Sequence, residues 1–312
     1  MRVAAIDCGT NSLRLLVTDL DPATGASVEV ERRSTIVRLG QGVDRTGVFA
    51  AEALQRTFAT LGDYAAVVAS LDVADVRMVA TSAARDAANR EVFLTGAQDR
   101  VGVPADIVSG DEEARLSYDG ATRSLDAADG LAAPLLVLDI GGGSTEFVMR
   151  PDAEADVLGR SLDIGSVRLA ERHLRDDPPS HRQVDAAVAD VEAALDRLDL
   201  PLAQVKTLVG VAGTTLTMAA MVLDLPAYDR DAVHLTRIDA RMLLRAVDDI
   251  VAMSVTERLA LAFMHPDRAD VIGAGALVLG SVVRRLGIDT LVPSSHDILD
   301  GIAWSLVDEQ SR

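Results

Sequence analysis

Two short segments of the sequence carry the same pattern of residues suited to binding phosphate and a cation. Each reads apolar strand, Asp, any residue, Gly, two further residues, Ser, apolar strand; the copies span residues 3–17 and 135–149. Two β-rich runs around a Gly-containing turn predict a β-hairpin. The N–H groups of such a turn can form an anion-binding nest, because glycine lets the backbone approach a ligand. We therefore predict two phosphate-binding hairpins whose aspartates, Asp7 and Asp139, point toward one cation.

Four further segments start helices after strands or turns, where phosphate groups are often bound. They are residues 81–85 (TSAAR), 109–115 (SGDEEAR), 165–168 (GSVR) and 210–215 (GVAGTT). Arg85 lies in a first helical turn, where a cation is unfavourable unless an anion such as phosphate is its partner. Helix capping accounts for one of Glu112 and Glu113, and the other is a candidate general base; the spacing alone leaves both open. A purely structural turn is the alternative for each segment.

The composition excludes several classes of protein and site. Hydrophobic residues make up 49% and charged residues 25% of the 312-residue chain, which predicts a globular protein with room for two domains. A net charge of −18 argues against a broad nucleic-acid surface. The single cysteine, Cys8, excludes a disulfide framework and is interpreted as a strand residue rather than a nucleophile. The single lysine, Lys206, follows no Gly-rich turn, so a Walker-type P-loop is absent.

The sequence also predicts a soluble protein. No secretory signal fits the N-terminus, and the most apolar segment, 271–283, is Gly-rich and too short to cross a bilayer. These features predict a cytoplasmic location and no membrane partner. The histidines form no metal-binding pair at i, i+4 spacing, and the His296-Asp297 dipeptide is interpreted as polar chemistry at a helix start.

Alternating strands and helices position these residues, which is typical of an α/β fold. In the first half we predict a helix from residue 83 to about 100, capped by Ser82, together with strands 76–80 and 105–108 and a helix opening at 110. In the second half we predict helices 182–198, 214 onward, 271–286 and from Ser294 or Ser295 to about 308, and strands 207–211 and 288–292. Glycines at 273, 275 and 280 indicate close helix packing. The polar and Gly/Pro-containing break at 126–134 predicts a domain boundary.

Taken together, these segments resemble the exopolyphosphatase / guanosine pentaphosphate phosphatase (Ppx/GppA) family, within the superfamily of acetate and sugar kinases, heat-shock chaperones and actin. The matching stretches follow the family's order and are residues 6–12, 80–85, 109–115, 139–146, 165–168, 213–215 and 271–280. The resemblance implies an α/β, two-lobed actin-like fold of duplicated ribonuclease H-like domains, with the active cleft between the lobes. Lobe I would contain residues 1–125 completed by the C-terminal helix 296–312, and lobe II residues 126–295.

The resemblance also implies roles for individual residues. It selects Glu113 as the general base that activates water. It assigns Asp139 and Glu146 to Mg²⁺, with Asp7 as a weaker candidate and Mn²⁺ as a substitute metal. The phosphate-binding groups would come from Thr10, Asn11, Ser12, Arg85, Gly142, Gly143, Ser144, Thr145, Gly213 and Thr214.

The activity implied is that of a Mg²⁺-dependent exopolyphosphatase, a homodimer that removes terminal phosphates from inorganic polyphosphate. Larger family members carry additional C-terminal helical domains, and without them we expect a preference for short chains. The alternative within the family is hydrolysis of guanosine pentaphosphate (pppGpp). A superfamily kinase or ATPase is less favoured, because Glu113 in its Ser-Gly-x-Glu-Glu setting favours water as the acceptor. A non-catalytic polyphosphate or alarmone sensor would need the carboxylates lost or occupied, and here they are all present.

Overall fold

The computed structural model describes residues 1–123, 125, 131–152 and 155–308. The chain divides into two compact units. The first contains Met1–Ser124 and the C-terminal segment that begins at His296, and the second contains Leu125–Ser295. The predicted domain boundary at 126–134 falls largely on residues 126–130, which lie outside the described residues.

The first unit is built on a mixed sheet that has five strands in the described part of the chain, in the order β3-β2-β1-β4-β5. β1, β2 and β3 form an antiparallel meander, and β4 and β5 run parallel to β1. The strands are β1 Arg2–Cys8, β2 Ser12–Asp21, β3 Ala26–Ile36, β4 Asp75–Ala80 and β5 Ala105–Ile107. The helices are α1 Val43–Thr46, α2 Ala51–Ser70, α3 Ser82–Asp86, α4 Arg90–Val101, α5 Gly110–Arg123 and α13 Ile298–Asp308.

The second unit is built on a mixed sheet with the order β10-β11-β9-β6-β7-β8 among its described strands. The strands are β6 Leu135–Ile140, β7 Thr145–Met149, β8 Leu158–Leu162, β9 Thr207–Val211, β10 Ile238–Asp239 and β11 Thr290–Pro293. The helices are α6 Ser166–His173, α7 His181–Leu195, α8 Ala212–Val222, α9 Arg230–Val233, α10 Ala240–Ala252, α11 Val255–Leu259 and α12 Ile272–Leu286. Short 3₁₀ turns occupy Leu202–Gln204 and Pro266–Arg268.

The two sheets repeat one topology. β6, β7 and β8 form an antiparallel meander, and β9 and β11 extend it with parallel strands on the β6 side. The first unit has the same order and directions in β1 to β5. The repeat of the two hairpins therefore extends to whole sheets, which agrees with the duplication predicted from the sequence.

The central strand of the first unit is buried on both faces. Val3 and Ala5 of β1 pack in a cluster with the apolar residues of α13, while Ile6 and Cys8 belong to a second cluster on the opposite face. Such a strand reads as a continuous apolar run because helices cover both sides of the sheet. Burial also raises the pKa of the Cys8 thiol well above its usual range, so Cys8 is a core residue and a poor nucleophile.

The single helix predicted from residue 83 to about 100 is wrong, because the chain forms two helices, α3 and α4. Asn89 lies between them, where its side-chain amide accepts a hydrogen bond from the Phe49 N–H (2.8 Å) and donates one to the Phe49 carbonyl (3.1 Å). This tertiary pairing holds the chain outside the helical conformation. Ser82 does not cap α3; its hydroxyl instead shares a 2.8 Å hydrogen bond with Thr10.

Other predicted element ends shift by a few residues. α8 begins at Ala212 instead of Thr214. α13 begins at Ile298 instead of Ser294 or Ser295, because the carboxylate of Asp297 accepts a hydrogen bond from the Leu299 N–H at 3.0 Å and so marks the helix start. α7 ends at Leu195, and the last strand of the second unit is Thr290–Pro293.

The glycines of α12 pack closely, as predicted. A Cβ on Gly273 would lie 2.7 Å from Nη2 of the buried Arg258, and one on Gly275 would lie 2.6 Å from Oγ1 of Thr214. A Cβ on Gly280 would lie 3.1 Å from Cγ1 of Val247. α12 is therefore a core helix, and no helix in the described part of the chain is both long and apolar enough to cross a membrane.

Gly301→Ala is expected to destabilise the first unit by about 1–3 kcal/mol. Gly301 of α13 packs against α5 so closely that a Cβ would overlap the Leu116 carbonyl oxygen. The matched control is Gly62→Ala in the exposed face of α2, where a Cβ meets no neighbour within 4 Å. That change should stabilise the protein by about 0.5–1 kcal/mol, because alanine has the higher helix propensity. Urea unfolding measures both, and equal effects would contradict the close approach of the two helices.

Candidate active site

The two hairpin turns have the same backbone geometry. In the first, the Gly9 N–H donates to the Ser12 carbonyl at 3.0 Å; in the second, the Gly141 N–H donates to the Ser144 carbonyl at 3.0 Å. The flanking strands pair antiparallel in each case, so both predicted hairpins form. The shared sequence pattern therefore specifies a shared turn.

The carbonyl groups of the first turn are held by the segment that follows β3. The Gly40 N–H donates to the Thr10 carbonyl at 2.8 Å, and the N–H groups of Val37 and Arg38 donate to the Asn11 carbonyl at 3.0 and 2.8 Å. Within the described chain, the backbone N–H groups of Thr10 and Asn11 donate to no protein acceptor. They are available to bind an anion.

The second turn is held in the same way by the start of α6. The N–H groups of Ser166 and Val167 donate to the carbonyls of Gly141 and Gly142, each at 2.9 Å. Gly165 permits this close approach, because a Cβ there would overlap the Gly142 carbonyl. The consecutive N–H groups that find no acceptor among the residues described are those of Gly142, Gly143 and Ser144. Such a run of free amides is typical of a phosphate-binding nest.

The cross-strand position next to each turn differs between the two units. Asp139 lies directly opposite Glu146 on β6 and β7, so the two carboxylates share one face of the sheet, and both side chains are buried. The Ser161 hydroxyl donates to Glu146 Oε1 at 2.8 Å and orients that carboxylate. At the corresponding position of the first unit, Asp7 lies opposite Arg14.

The acidic pair of the second unit fits the predicted metal. Among the described residues, no group of three or more His, Cys, Asp or Glu side chains could hold a metal ion alone. Mg²⁺ does not require one, since it is usually bound by one or two carboxylates together with substrate phosphates and waters. Two buried carboxylates facing the same way, next to a turn with free amides, match that donor set.

Asp7 is already partly neutralised. Arg14 donates to Asp7 Oδ2 from Nε at 2.8 Å and from Nη2 at 2.6 Å, and its Nη1 donates to Asp297 at 2.5 Å. Burial raises the pKa of Asp7, and the guanidinium of Arg14 opposes that effect. Asp7 Oδ1 is buried and accepts no hydrogen bond from any described residue. Only this oxygen is available to a cation, a physical reason to rank Asp7 below Asp139 and Glu146.

The structure distinguishes the two adjacent glutamates at the start of α5. Glu112 has a side chain that is 44% exposed, receives a 2.9 Å hydrogen bond from Arg77 and lies in the capped first turn, where Ser109 Oγ accepts its N–H. Glu113 is buried, and its Oε2 accepts a 2.6 Å hydrogen bond from Arg85 Nη1. Glu113 is thus held in a fixed position that suits a proton acceptor.

Arg85 is therefore the partner of the candidate base. The same Nη1 also donates to the Val108 carbonyl at 3.0 Å, which fixes the guanidinium between β5 and α5. A guanidinium has five N–H donors, so this pairing leaves others for a phosphate. Phosphate binding by Arg85 stays a prediction.

Two of the predicted phosphate ligands use their hydroxyl groups inside their own unit. Thr145 is completely buried and donates to the Ile164 carbonyl, which anchors β7 to the segment before α6. The Thr10 hydroxyl is hydrogen-bonded to Ser82. The backbone amides of the turns that find no acceptor among the described residues, and not these two hydroxyls, are therefore the groups available to an anion.

Gly213 and Thr214 lie in the first turn of α8, where backbone N–H groups have no partner within the helix. Gly213 faces the guanidinium of Arg268, which occupies the space that a Cβ would fill. Ala212, at the start of the helix, has a positive φ of 60°. This strained start turns the chain sharply from β9 into α8.

A protein-family model described as the Ppx/GppA phosphatase family matches residues 22–310. The chain belongs to this family. It is 47% identical to exopolyphosphatase 2 of Mycobacterium tuberculosis, over 98% of each protein. It is 30% identical to a guanosine-5′-triphosphate,3′-diphosphate pyrophosphatase of Vibrio campbellii, where 98% of this chain covers 59% of that protein. The crystal structure of an exopolyphosphatase-like protein superposes with a TM-score of 0.95 at 40% identity, covering 100% of this chain and 99% of the other.

These comparisons confirm the Ppx/GppA family and, with the two mixed sheets, the α/β fold class predicted from the sequence. The sequence patterns did not identify two arginines near the candidate site of this Ppx/GppA chain, Arg14 and Arg268. Arg14 was detectable in principle, because a hairpin closed by Gly9 and Ser12 places residue 14 opposite residue 7. Arg268 was not, since no local pattern relates it to Gly213.

Proposed function

We propose that this Ppx/GppA family member is an exopolyphosphatase, which hydrolyses the terminal phosphoanhydride bond of inorganic polyphosphate. The observation that carries the proposal is Glu113, a buried carboxylate held by Arg85, in contrast to the partly exposed Glu112. A fixed carboxylate suits a general base that accepts a proton from water. The 47% identity to exopolyphosphatase 2 of Mycobacterium tuberculosis supports polyphosphate as the substrate.

Hydrolysis of a phosphoanhydride mainly requires that water and the terminal phosphate be positioned and that the charge on the phosphate oxygens be stabilised. The free N–H groups of the two turns bind oxygens of the terminal phosphates, the groups whose charge changes during phosphoryl transfer. Glu113 accepts one proton as the water oxygen attacks the terminal phosphorus. The bond from phosphorus to the bridging oxygen breaks, which yields inorganic phosphate and a chain shorter by one phosphate.

Asp139 and Glu146 are the residues that would hold Mg²⁺ or Mn²⁺, with Asp7 as a weaker candidate through Oδ1. When bound, the metal would supply charge neutralisation to the phosphate oxygens. Ser161 keeps Glu146 in the required orientation through its hydrogen bond. The free amides of the second turn lie next to this pair along the chain, so one unit can contact both the metal and its phosphate ligand.

The second candidate substrate is pppGpp. It is favoured by the 30% identity to the Vibrio campbellii guanosine-5′-triphosphate,3′-diphosphate pyrophosphatase. The hydrolysed bond is again a terminal phosphoanhydride, so the same base and the same amides serve both substrates.

We also propose that the protein is a homodimer located in the cytoplasm. Sedimentation of the purified protein tests the dimer.

The test is phosphate release from tripolyphosphate, long-chain polyphosphate and pppGpp, each with Mg²⁺, with Mn²⁺ and with a chelator. We expect Mg²⁺-dependent release from tripolyphosphate that exceeds release from pppGpp. Faster turnover of pppGpp would make the second candidate the correct one. Equal rates in the chelator would contradict the assignment of Asp139 and Glu146 to a metal.

A further inference from the structure

A largely buried arginine of the second unit holds a carbonyl group of the candidate phosphate-binding turn. Arg168, in the first turn of α6, donates from Nε to the Gly143 carbonyl at 2.6 Å. Only 11% of its side chain is exposed, and its Nη2 lies 3.9 Å from Asp163 Oδ1. The guanidinium is therefore confined against the turn and has little freedom to move into solvent.

The same residue also holds the preceding carbonyl with its backbone. The N–H groups of Val167 and Arg168 both donate to the Gly142 carbonyl, at 2.9 and 3.1 Å. The Gly141 carbonyl is held by Ser166. In the described chain, Arg168 Nε is the one donor that reaches the Gly143 carbonyl, so this peptide depends on a side chain.

The first turn shows what Arg168 replaces. Asn11 corresponds to Gly143, and its carbonyl is held by two backbone N–H groups, those of Val37 and Arg38. In the second turn the corresponding Gly143 carbonyl is held by the guanidinium of Arg168. The need is greater there, because glycine rotates freely and the peptide after Gly143 can flip at little cost.

Orientation of this peptide decides whether it can bind an anion. The Gly143 carbonyl and the Ser144 N–H belong to one planar trans peptide group, so they point in opposite directions. Holding the carbonyl toward α6 aims the N–H away from α6, together with the other free amides of the turn. A flipped peptide would present a carbonyl oxygen to the phosphate and repel it.

We propose that Arg168 is a positioning residue for phosphate binding: by holding the Gly143 carbonyl, it keeps the Ser144 N–H directed at a substrate phosphate. This inference rests on the proposed function, since it concerns the same turn and the same substrate class. Arg168 itself does not contact the substrate in this account. Its effect is expected on substrate binding more than on the proton transfer to Glu113.

The experiment compares wild type with R168M, R168Q and R168K, and with R172M as a matched control one turn later on α6. Arg172 pairs with Asp190, away from the turn. With tripolyphosphate we expect R168M and R168Q to raise KM by roughly tenfold, the order expected for misdirecting one hydrogen bond to a charged ligand. kcat should change less, R168K should recover part of the loss, and R172M should match wild type.

A second readout does not depend on turnover. The ¹H–¹⁵N resonance of the Ser144 amide should shift when tripolyphosphate is added to wild type, and this shift should be lost in R168M and R168Q. If wild type hydrolyses none of the substrates, the proposed function fails. If wild type is active and the folded R168M or R168Q keeps both the wild-type KM and the Ser144 shift, the role of Arg168 is overturned. Thermal unfolding shows which variants are folded.

Discussion

Glu113→Gln is expected to lower kcat for tripolyphosphate by about 10²–10⁴-fold, the range found when a general base is removed. The glutamine amide has nearly the same shape as the carboxylate but cannot accept the proton of the attacking water. Arg85 still has an oxygen acceptor at this position, so the guanidinium is not left without a hydrogen bond. KM should stay close to the wild-type value, because Glu113 does not bind the phosphate chain. Steady-state kinetics separates the two parameters.

Glu112→Gln is the matched control for this variant. The same chemical change is made one residue away, on a partly exposed side chain that pairs with Arg77. Its kcat should equal that of wild type, and thermal unfolding should show both variants folded. If Glu113→Gln keeps the wild-type rate, or Glu112→Gln loses it, the base has been assigned to the wrong residue.

The parts of this fold that could be predicted are those whose determining residues lie close together in the sequence. Each hairpin has its strands, turn glycine and aspartate within about fifteen residues, so alternation of local preferences is enough to specify it. The close packing of α12 is also predictable, because its three glycines lie within a few residues of one another in one helix. The α5 start was also predictable, because capping residues and acids occur together at 109–113.

Pairings between distant segments were not predictable from local patterns. Glu113 and Arg85 are 28 positions apart, and no local sequence pattern near either residue predicts that their side chains pair. The break between α3 and α4 depends on Asn89 binding the backbone of Phe49, 40 positions earlier. In both cases a tertiary contact overrides what the local sequence favours.

The comparison of the two turns explains why a repeated motif need not give two equal sites. The residue opposite the aspartate is Arg14 in the first unit and Glu146 in the second. An arginine there neutralises Asp7, whereas a glutamate adds a second carboxylate beside Asp139. Under the proposed function, this one difference at a fixed cross-strand position makes the second turn better suited than the first to binding a cation as well as an anion.

Asp139→Asn is expected to lower Mg²⁺-dependent activity strongly and, at the same time, to stabilise the protein in the absence of divalent cation. Asp139 and Glu146 are directly opposite on neighbouring strands, where like charges are unfavourable by about 0.2–1 kcal/mol. Asparagine removes that repulsion, so the melting temperature in chelator should rise. Mg²⁺ stabilises the folded state by an amount that rises with the logarithm of its affinity, and that increment should shrink in the variant. Activity at saturating Mg²⁺ should fall by about 100-fold or more, since loss of an outer-shell partner already costs 10–100-fold.

The two opposite effects distinguish a metal ligand from a structural acid. Asp185→Asn, on the exposed face of α7 in the same unit, makes the same charge change and should alter neither the chelator melting temperature nor the Mg²⁺ increment. A structural role for Asp139 predicts the reverse of our expectation in chelator, because removing a useful carboxylate lowers stability. A melting temperature that falls in chelator, with an unchanged Mg²⁺ increment, would therefore move the metal away from Asp139 and leave Glu146 and Asp7 Oδ1 as its remaining candidate ligands.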